Sequence, residues 1–131
     1  MFEDAEVIYS YTRKQAIEDG VLVDLTTEAV KHGFNIPFAC TSTVWAEIEW
    51  DDASQTQRGL GQCTEGRLFD VLHMSIFAAS KAKDTNQVRV QVLMIPHDGN
   101  STIAKTYTYN LHVGPDDDGE PVITLMQLDE D

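Results

Sequence analysis

The chain has few basic residues, and this scarcity is its most informative feature. Nine Lys and Arg stand against 22 Asp and Glu in 131 residues, which gives a formal net charge of −13. The net negative charge is distributed unevenly along the chain: residues 53–95 carry +2, while residues 96–131 carry −7. Such a chain repels nucleic acid and anionic membranes. It attracts basic protein surfaces, including those that otherwise hold DNA or RNA.

Other absences narrow the class of protein. The start, Met1-Phe2-Glu3-Asp4, is acidic and has no apolar run, and no stretch reaches the length of a membrane span. Cys40 and Cys63 lack CxxC spacing, so we expect free thiols in a reducing compartment. The length predicts a single domain, 1–131, with residues 129–131 as a flexible acidic tail, and the free thiols favour the cytoplasm.

Motifs for catalysis or metal binding are also missing. The sequence contains no GxSxG, P-loop or GxGxxG pattern. Its histidines, at 32, 73, 97 and 112, have no metal-ligand spacing, so we expect neither a metal nor a cofactor. An alternative is that His97 and His112 approach each other across a hairpin and form a metal or acid–base site. His73 is interpreted as a buried core residue.

Helical signals dominate the first two thirds of the chain. Thr12, with Gln15 three residues later, fits a capping box for a helix over 13–19 that ends at Gly20. The longest helix is predicted over 65–83 and is apolar nearly all round, which is typical of a buried central helix. Arg67 and Asp70 at its start are expected to form a surface pair. Further expected elements are an extended run at 21–23, a helix over 27–32 capped by Thr26, a helix that begins near Ser42, and a surface loop over 51–66.

The last third changes to a period of two. Val88, Val90 and Val92 alternate with polar residues, and the same alternation recurs over 103–113. A third strand is predicted over 121–128. Helices followed by strands indicate an α+β domain, in which short N-terminal helices and one long central helix pack on a C-terminal three-stranded antiparallel meander.

The densest acidic cluster lies between the last two predicted strands. Asp116, Asp117, Asp118 and Glu120 surround Gly119. Consecutive acids do not follow the alternating ligand spacing of a calcium loop. A solvated turn and a contact for a basic partner remain the two interpretations.

A second cluster lies at the end of the third helix. Glu47, Glu49, Asp51 and Asp52 surround Trp50. Acids at a helix C-terminus oppose the helix dipole, and such locally unfavourable choices are typical of functional sites. An exposed Trp50 with an acidic rim suits an interface anchor. The alternative is that Trp50 packs in the core.

Five segments of the chain together carry a resemblance: Tyr9 to Ala16, Asp19 to Asp24, Phe38 to Trp45, Arg67 to Leu72, and Val113 to Thr124. These segments resemble a family of small proteins of unknown function that are carried by plasmids, phages and bacterial genomes. The resemblance implies a bacterial or phage origin and an accessory role in a mobile element, and it implies no catalytic residue.

These observations favour an acidic, non-enzymatic protein that binds a basic surface of a host defence complex, of the anti-CRISPR or antirestriction type. Its surplus carboxylates are then expected to form one coherent electronegative face. One alternative is a small enzyme with a dispersed polar site between the sheet and the N-terminal helices. Another is an oligomeric scaffold, such as a homodimer that associates through a strand edge. The residues expected in the enzyme site are Tyr9, Arg13, His73, His97 and His112.

Overall fold

The computed structural model of the chain describes residues 11–51, 62–82, 85–97 and 101–130. These ranges contain helices and strands in a mixed order. The helices are α1 (Arg13–Glu18), α2 (Thr26–Val30), α3 (Ser42–Ile48) and α4 (Thr64–Lys81). The strands are β1 (Leu22–Asp24), β2 (Phe38–Thr41), β3 (Gln87–Met94), β4 (Lys105–Pro115) and β5 (Pro121–Gln127).

The strands form one five-stranded sheet in the order β1-β2-β5-β4-β3. Strands β3, β4 and β5 pair antiparallel, β2 pairs parallel with β5, and β1 closes the far edge antiparallel to β2. The α+β class is therefore confirmed. The prediction of a three-stranded antiparallel sheet is wrong, because β1 and β2 extend it and make it mixed.

Strand β2 explains why the sheet is larger than expected. Phe38, Ala39 and Cys40 are all fully buried, as a strand inside a sheet requires when both of its faces are covered. Pro37 precedes the strand, and from the sequence it indicates an extended or turn conformation for Ile36. In the structure the Pro37 carbonyl accepts a hydrogen bond from the N–H of Ile123 at 2.8 Å, so Pro37 is already hydrogen-bonded to β5 before β2 begins.

One face of the sheet carries the core. Alternate residues of β3 and β4, such as Val90 and Tyr109, point to this face and pack against Val71 and Leu72 of α4. Residues between them, such as Gln91 and Thr108, point to the opposite face, which we call the open face. Helix α1 lies beside this face, since Arg13 reaches Thr124 there.

Helix α4 is less buried than its composition predicts. Phe69 is 56% exposed and Phe77 is 50% exposed, and His73 also faces outward. The predictions of a helix buried on all sides and of a core His73 are therefore wrong. The helix lies on one face of the sheet and makes most of its contacts with β3, so no described element forms a layer over its far side.

The local cap signals had mixed outcomes. The capping box of Thr12 and Gln15 is present at α1, and Gly20 follows the helix at φ +80°. Thr26 is not a cap, because α2 starts at that residue with Leu25 before it. The Thr26 hydroxyl instead donates to Asp24 at 2.6 Å.

One of the C-terminal acids, Glu130, is hydrogen-bonded to the body of the domain rather than free. Glu130 accepts hydrogen bonds from the Thr41 hydroxyl at 2.8 Å, the Thr43 hydroxyl at 2.7 Å and the N–H of Gln127 at 2.8 Å. The expected flexible tail is therefore wrong at Glu130, while Asp131 lies outside the described residues.

Candidate functional site

The turn between β4 and β5 is shaped by its own acids. The Asp116 side chain accepts from the N–H groups of Asp118 at 2.8 Å and Glu120 at 2.9 Å. Gly119 adopts φ +85°, a region that favours glycine. Asp116 therefore has a structural role in the turn, while Asp118 and Glu120 are exposed at its tip.

Asp117 connects the turn to α1. Its carboxylate accepts from the N–H groups of Arg13 at 2.9 Å and Lys14 at 3.3 Å, at the first turn of the helix. A carboxylate at a helix N-terminus is stabilised by the partial positive charge of the unpaired N–H groups. This contact spans 104 residues of sequence and fixes α1 beside the turn.

Arg13 lies at the centre of the surrounding acids. Its guanidinium donates to the Thr124 hydroxyl and the Ile123 carbonyl, both at 2.7 Å. Burial lowers the pKa of Arg13, and the carboxylates of Asp24, Asp116 and Asp117 act in the opposite direction. The side chain stays cationic at neutral pH, because a guanidinium in a protein is not deprotonated in that range.

These contacts define a continuous acidic surface, which we call the hairpin patch. Glu18 belongs to it because this residue lines a surface depression together with Arg13, Lys14, Asp116 and Asp117. Among the described residues around this depression, Arg13 and Lys14 are the basic side chains that offset its carboxylates. The acids of the patch are Glu18, Asp24, Asp116, Asp117, Asp118 and Glu120.

The second predicted cluster lies elsewhere. Glu49 and Asp51 are exposed after α3, and Asp52 lies outside the described residues. Glu47 is half-buried and accepts a hydrogen bond from the Tyr109 hydroxyl at 3.0 Å. Tyr109 lies near the middle of β4, whereas Asp116 directly follows the end of that strand. At ~3.3 Å per residue, about 20 Å of strand therefore separates the two clusters. The expected single acidic face is therefore two separate patches.

Trp50 is not an exposed anchor. Its side chain is 4% exposed, and its backbone N–H donates to the Thr64 hydroxyl at 2.9 Å. Of the two interpretations of this residue, the structure places it in the core, so Trp50 is not available as a partner contact.

Arg67 was expected on the surface and is instead buried, with 1% exposure. Its guanidinium lies 4.8 Å from the centroid of the Trp50 ring. Burial lowers the pKa of Arg67, while nearby Tyr107, Tyr109 and Glu47 act in the opposite direction. Its hydrogen-bond acceptors are the carbonyls of Glu47, Ile48 and Ile95, the amide oxygen of Gln62 and, at 3.4 Å, the ring of His97. The sequence signal for this role was a lone arginine on the apolar side of α4.

The histidines do not converge. His97 lies against Trp50 with ring centroids 5.1 Å apart. His73 stacks on Phe69 near His32. The alternative in which His97 and His112 approach each other is wrong, because His112 pairs with Gln87 while His97 follows the other end of β3. Among the described residues no three His, Cys, Asp or Glu side chains form a group that could hold a metal ion.

A groove crosses the open face of the sheet beside α1. Its volume is about 790 Å³, and its lining is of mixed polarity. Asn110, His112 and Thr124 lie on its sheet side, with Tyr11 and Glu130 among the other lining residues. Of the residues expected in an enzyme site, His112 lines this groove, and Arg13 donates to Thr124 of its lining but is not itself a lining residue. Tyr9 lies outside the described residues.

Comparison with known proteins gives a family. No helix within the described ranges is both long and apolar enough to cross a membrane. No curated protein and no solved structure is detectably similar to the chain. The model of a family of unknown function, DUF6573, matches residues 1–131, the whole chain, and the protein therefore belongs to that family.

Proposed function

We propose that this protein is a non-enzymatic binding protein that occupies a basic surface of a nucleic-acid-binding complex through the hairpin patch. The observation that carries the proposal is the convergence of carboxylates from α1, β1 and the β4–β5 turn on one surface, in a chain whose net charge is −13. Electrostatic attraction of this kind accelerates association and selects cationic partners.

The partner class that we favour is a groove that otherwise binds DNA or RNA, as in a CRISPR effector or a restriction enzyme. The resemblance to proteins of plasmids and phages supports this choice. Such a groove is lined with cationic side chains that neutralise phosphates, and the carboxylates of the hairpin patch offer it charge of the same sign as those phosphates.

The internal roles of the acids decide how to test the proposal. Asp116 and Asp117 stabilise the turn and α1, so their removal mixes folding with binding. Asp118 and Glu120 are exposed, and their carboxylates make no hydrogen bond or ion pair with another residue of the described ranges. The test variant is therefore Asp118→Asn with Glu120→Gln. The control, Glu49→Gln with Asp51→Asn, removes the same charge from the other exposed cluster.

The experiment is capture of partners from a bacterial lysate by the immobilised protein, with mass spectrometry of what salt releases. We expect the captured proteins to be nucleic-acid-binding, to be displaced by duplex DNA, and to bind about tenfold more weakly at 0.5 M than at 0.05 M NaCl. The test variant loses capture and the control retains it. Equal loss in both variants, or capture that is unchanged in 1 M NaCl, would contradict the proposal.

A second candidate function is supported by the groove on the open face. It lies between the sheet and α1, where a small enzyme site was expected, and it contains His112 close to Thr124, to which Arg13 donates. A mixture of small polar metabolites should then shift the amide resonances of Asn110, His112 and Thr124. His112→Ala should abolish those shifts. Shifts spread over the whole sheet, or none at all, would dismiss this candidate.

A further inference from the structure

The two edges of the sheet are protected to different degrees. Strand β1 is three residues long and ends at the charged Asp24. Strand β3 at the other edge is eight residues long, Gln87–Met94, and contains no proline and only one charged residue, Arg89. Among the described residues β3 pairs only with β4. Long edge strands without charge, proline or bulges are templates for a further strand.

The alternation of backbone hydrogen bonds along β3 shows which residues direct their N–H and C=O groups away from β4. The N–H of Val113 donates to the carbonyl of Asn86 at 2.8 Å, so Asn86 directs its backbone groups toward β4. In an antiparallel ladder such residues alternate with residues whose N–H and C=O groups point away from the partner strand. The outward-pointing residues of β3 are therefore Gln87, Arg89, Gln91 and Leu93, and all four are exposed.

Apolar side chains surround the same edge. Leu93 is 63% exposed, and Phe77 of α4 is half exposed. A groove of about 440 Å³ lies between α4 and β3, lined by His73, Met74 and Leu93 among others, and its surface is mostly apolar. The edge therefore has room beside it and a hydrophobic border.

The distribution of charge on the surface indicates that a second copy of the chain can bind at this edge. Two copies with a net charge of −13 repel each other except where negative charge is scarce. Among the described residues, the surface around β3 carries Lys81, Arg89 and Lys105, with Asp70 as the acid that lines the adjacent groove, whereas the hairpin patch follows the far end of β4. Of the described surfaces, this edge is where a second copy meets the least repulsion.

We propose that β3 is the interface of a homodimer, in which β3 of one chain pairs antiparallel with β3 of a second copy. The two five-stranded sheets become one continuous sheet. The interface is self-complementary, since each outward N–H of one strand meets a C=O of the other.

The side-chain alternation restricts the register. Opposed residues in an antiparallel pair point to the same face, so the twofold axis must pass through a residue rather than between two. An axis at Val90 uses every outward residue of both strands: Arg89 faces Gln91 of the second copy, and Gln87 faces Leu93. It also keeps the two Arg89 side chains from facing each other directly.

Hydrogen exchange of the wild-type chain is the first test, combined with light scattering. At roughly 100 µM the mass should be twice the 14.6 kDa of one chain, with dissociation on dilution toward about 1 µM. The amides of Arg89 and Gln91 should become protected as concentration rises. The amide of Val90, which bonds to β4, should be protected at every concentration. A monomer at all concentrations, or outward amides that exchange at a constant rate, would overturn the proposal.

Substitutions give the second test. Leu93→Glu places carboxylates at the interface, and Gln91→Pro removes an outward N–H without removing a bond to β4. Each should weaken dimerisation about tenfold or more. Val30→Glu is the matched control, because Val30 is 56% exposed on α2, away from β3, and this variant should dimerise like the wild type. A dimer indifferent to both edge substitutions would refute the β3 interface. If both variants unfold, the wild-type amide exchange decides.

Discussion

The guanidinium carbon of Arg67 lies 4.8 Å from the centroid of the Trp50 ring, and both side chains are buried. Arg67 also donates to carbonyls at the end of α3 and to Ile95 after β3. Carbonyls at a helix C-terminus have no partner within the helix and carry partial negative charge. One arginine of α4 therefore joins three elements and neutralises the end of α3.

Replacement of Arg67 should destabilise the fold strongly. Arg67→Met leaves the carbonyls of Ile48 and Ile95 without the guanidinium donors and leaves the Glu47 carbonyl with only the His97 ring nearby, and we expect a loss of about 3 kcal/mol in the free energy of unfolding. Arg67→Lys should lose nearly as much, because an ammonium cannot reproduce the planar set of donors. Urea unfolding measures both. Arg89→Lys, at an exposed position, is the control, and an Arg67→Lys protein as stable as the wild type would contradict this role.

The two cysteines should differ sharply in reactivity. Burial raises the pKa of Cys40 to about 12, and its side chain is fully buried, whereas Cys63 is exposed at the start of α4. The thiolate is the reactive form. A thiol reagent at pH 8 should therefore modify one cysteine quickly and the second only on unfolding. In Cys63→Ser the fast phase should vanish, and rapid modification of that variant would show that Cys40 is accessible.

Glu130 should make stability depend on pH. Burial by itself raises its pKa, but hydrogen bonds from Gln127, Thr43 and Thr41 outweigh burial and lower the pKa below its ordinary 4.5. A lowered folded pKa stabilises the protein above the unfolded pKa, and this contribution disappears as pH falls through the folded value.

Glu130→Gln should accordingly lose about 1 kcal/mol at pH 7, since the amide cannot accept bonds on both terminal atoms. The difference from the wild type should shrink below about pH 4.5. Thermal unfolding across this pH range tests the expectation, with Asp129→Asn as control. A difference that stays constant with pH would rule out the proposed linkage.

Neighbouring acids of the β4–β5 turn should differ in their effect on α1. Asp117→Asn weakens the interaction with the N–H groups of Arg13 and Lys14 and should cost about 0.5–1 kcal/mol. Asp118→Asn, one residue away, should leave stability within about 0.5 kcal/mol of the wild type. Chemical unfolding compares the two variants. Equal losses would mean that Asp117 acts only through net charge.

Local features of the fold could be predicted from the sequence because their causes are local. The capping box at Thr12 depends on a residue three positions away, and the alternation of β3 reports one buried face. Features that depend on distant partners could not. Strand β2 was not predicted, because its pairing partner β5 lies more than 80 residues later in the chain.

The candidate site divides in the same way. The acidic residues were identified from composition, but their separation into two patches was not, because about 20 Å of β4 lies between Glu47 and Asp116. The roles of Asp117 and Glu130 depend on contacts across 104 and 89 residues. The acids around Trp50 are typical of an interface anchor, and only the packing of Arg67 against the Trp50 ring shows that this side chain lies in the core.

The sequence by itself determined the excess of negative charge, the α+β class and the local caps, since each follows from composition or from neighbours within one turn or strand. Only the tertiary structure decided which carboxylates cap helices and which remain free, and which strand forms a long edge. The reason is that burial and hydrogen-bond partners are properties of segments brought together by folding, and no pattern along the chain specifies which distant segments will meet.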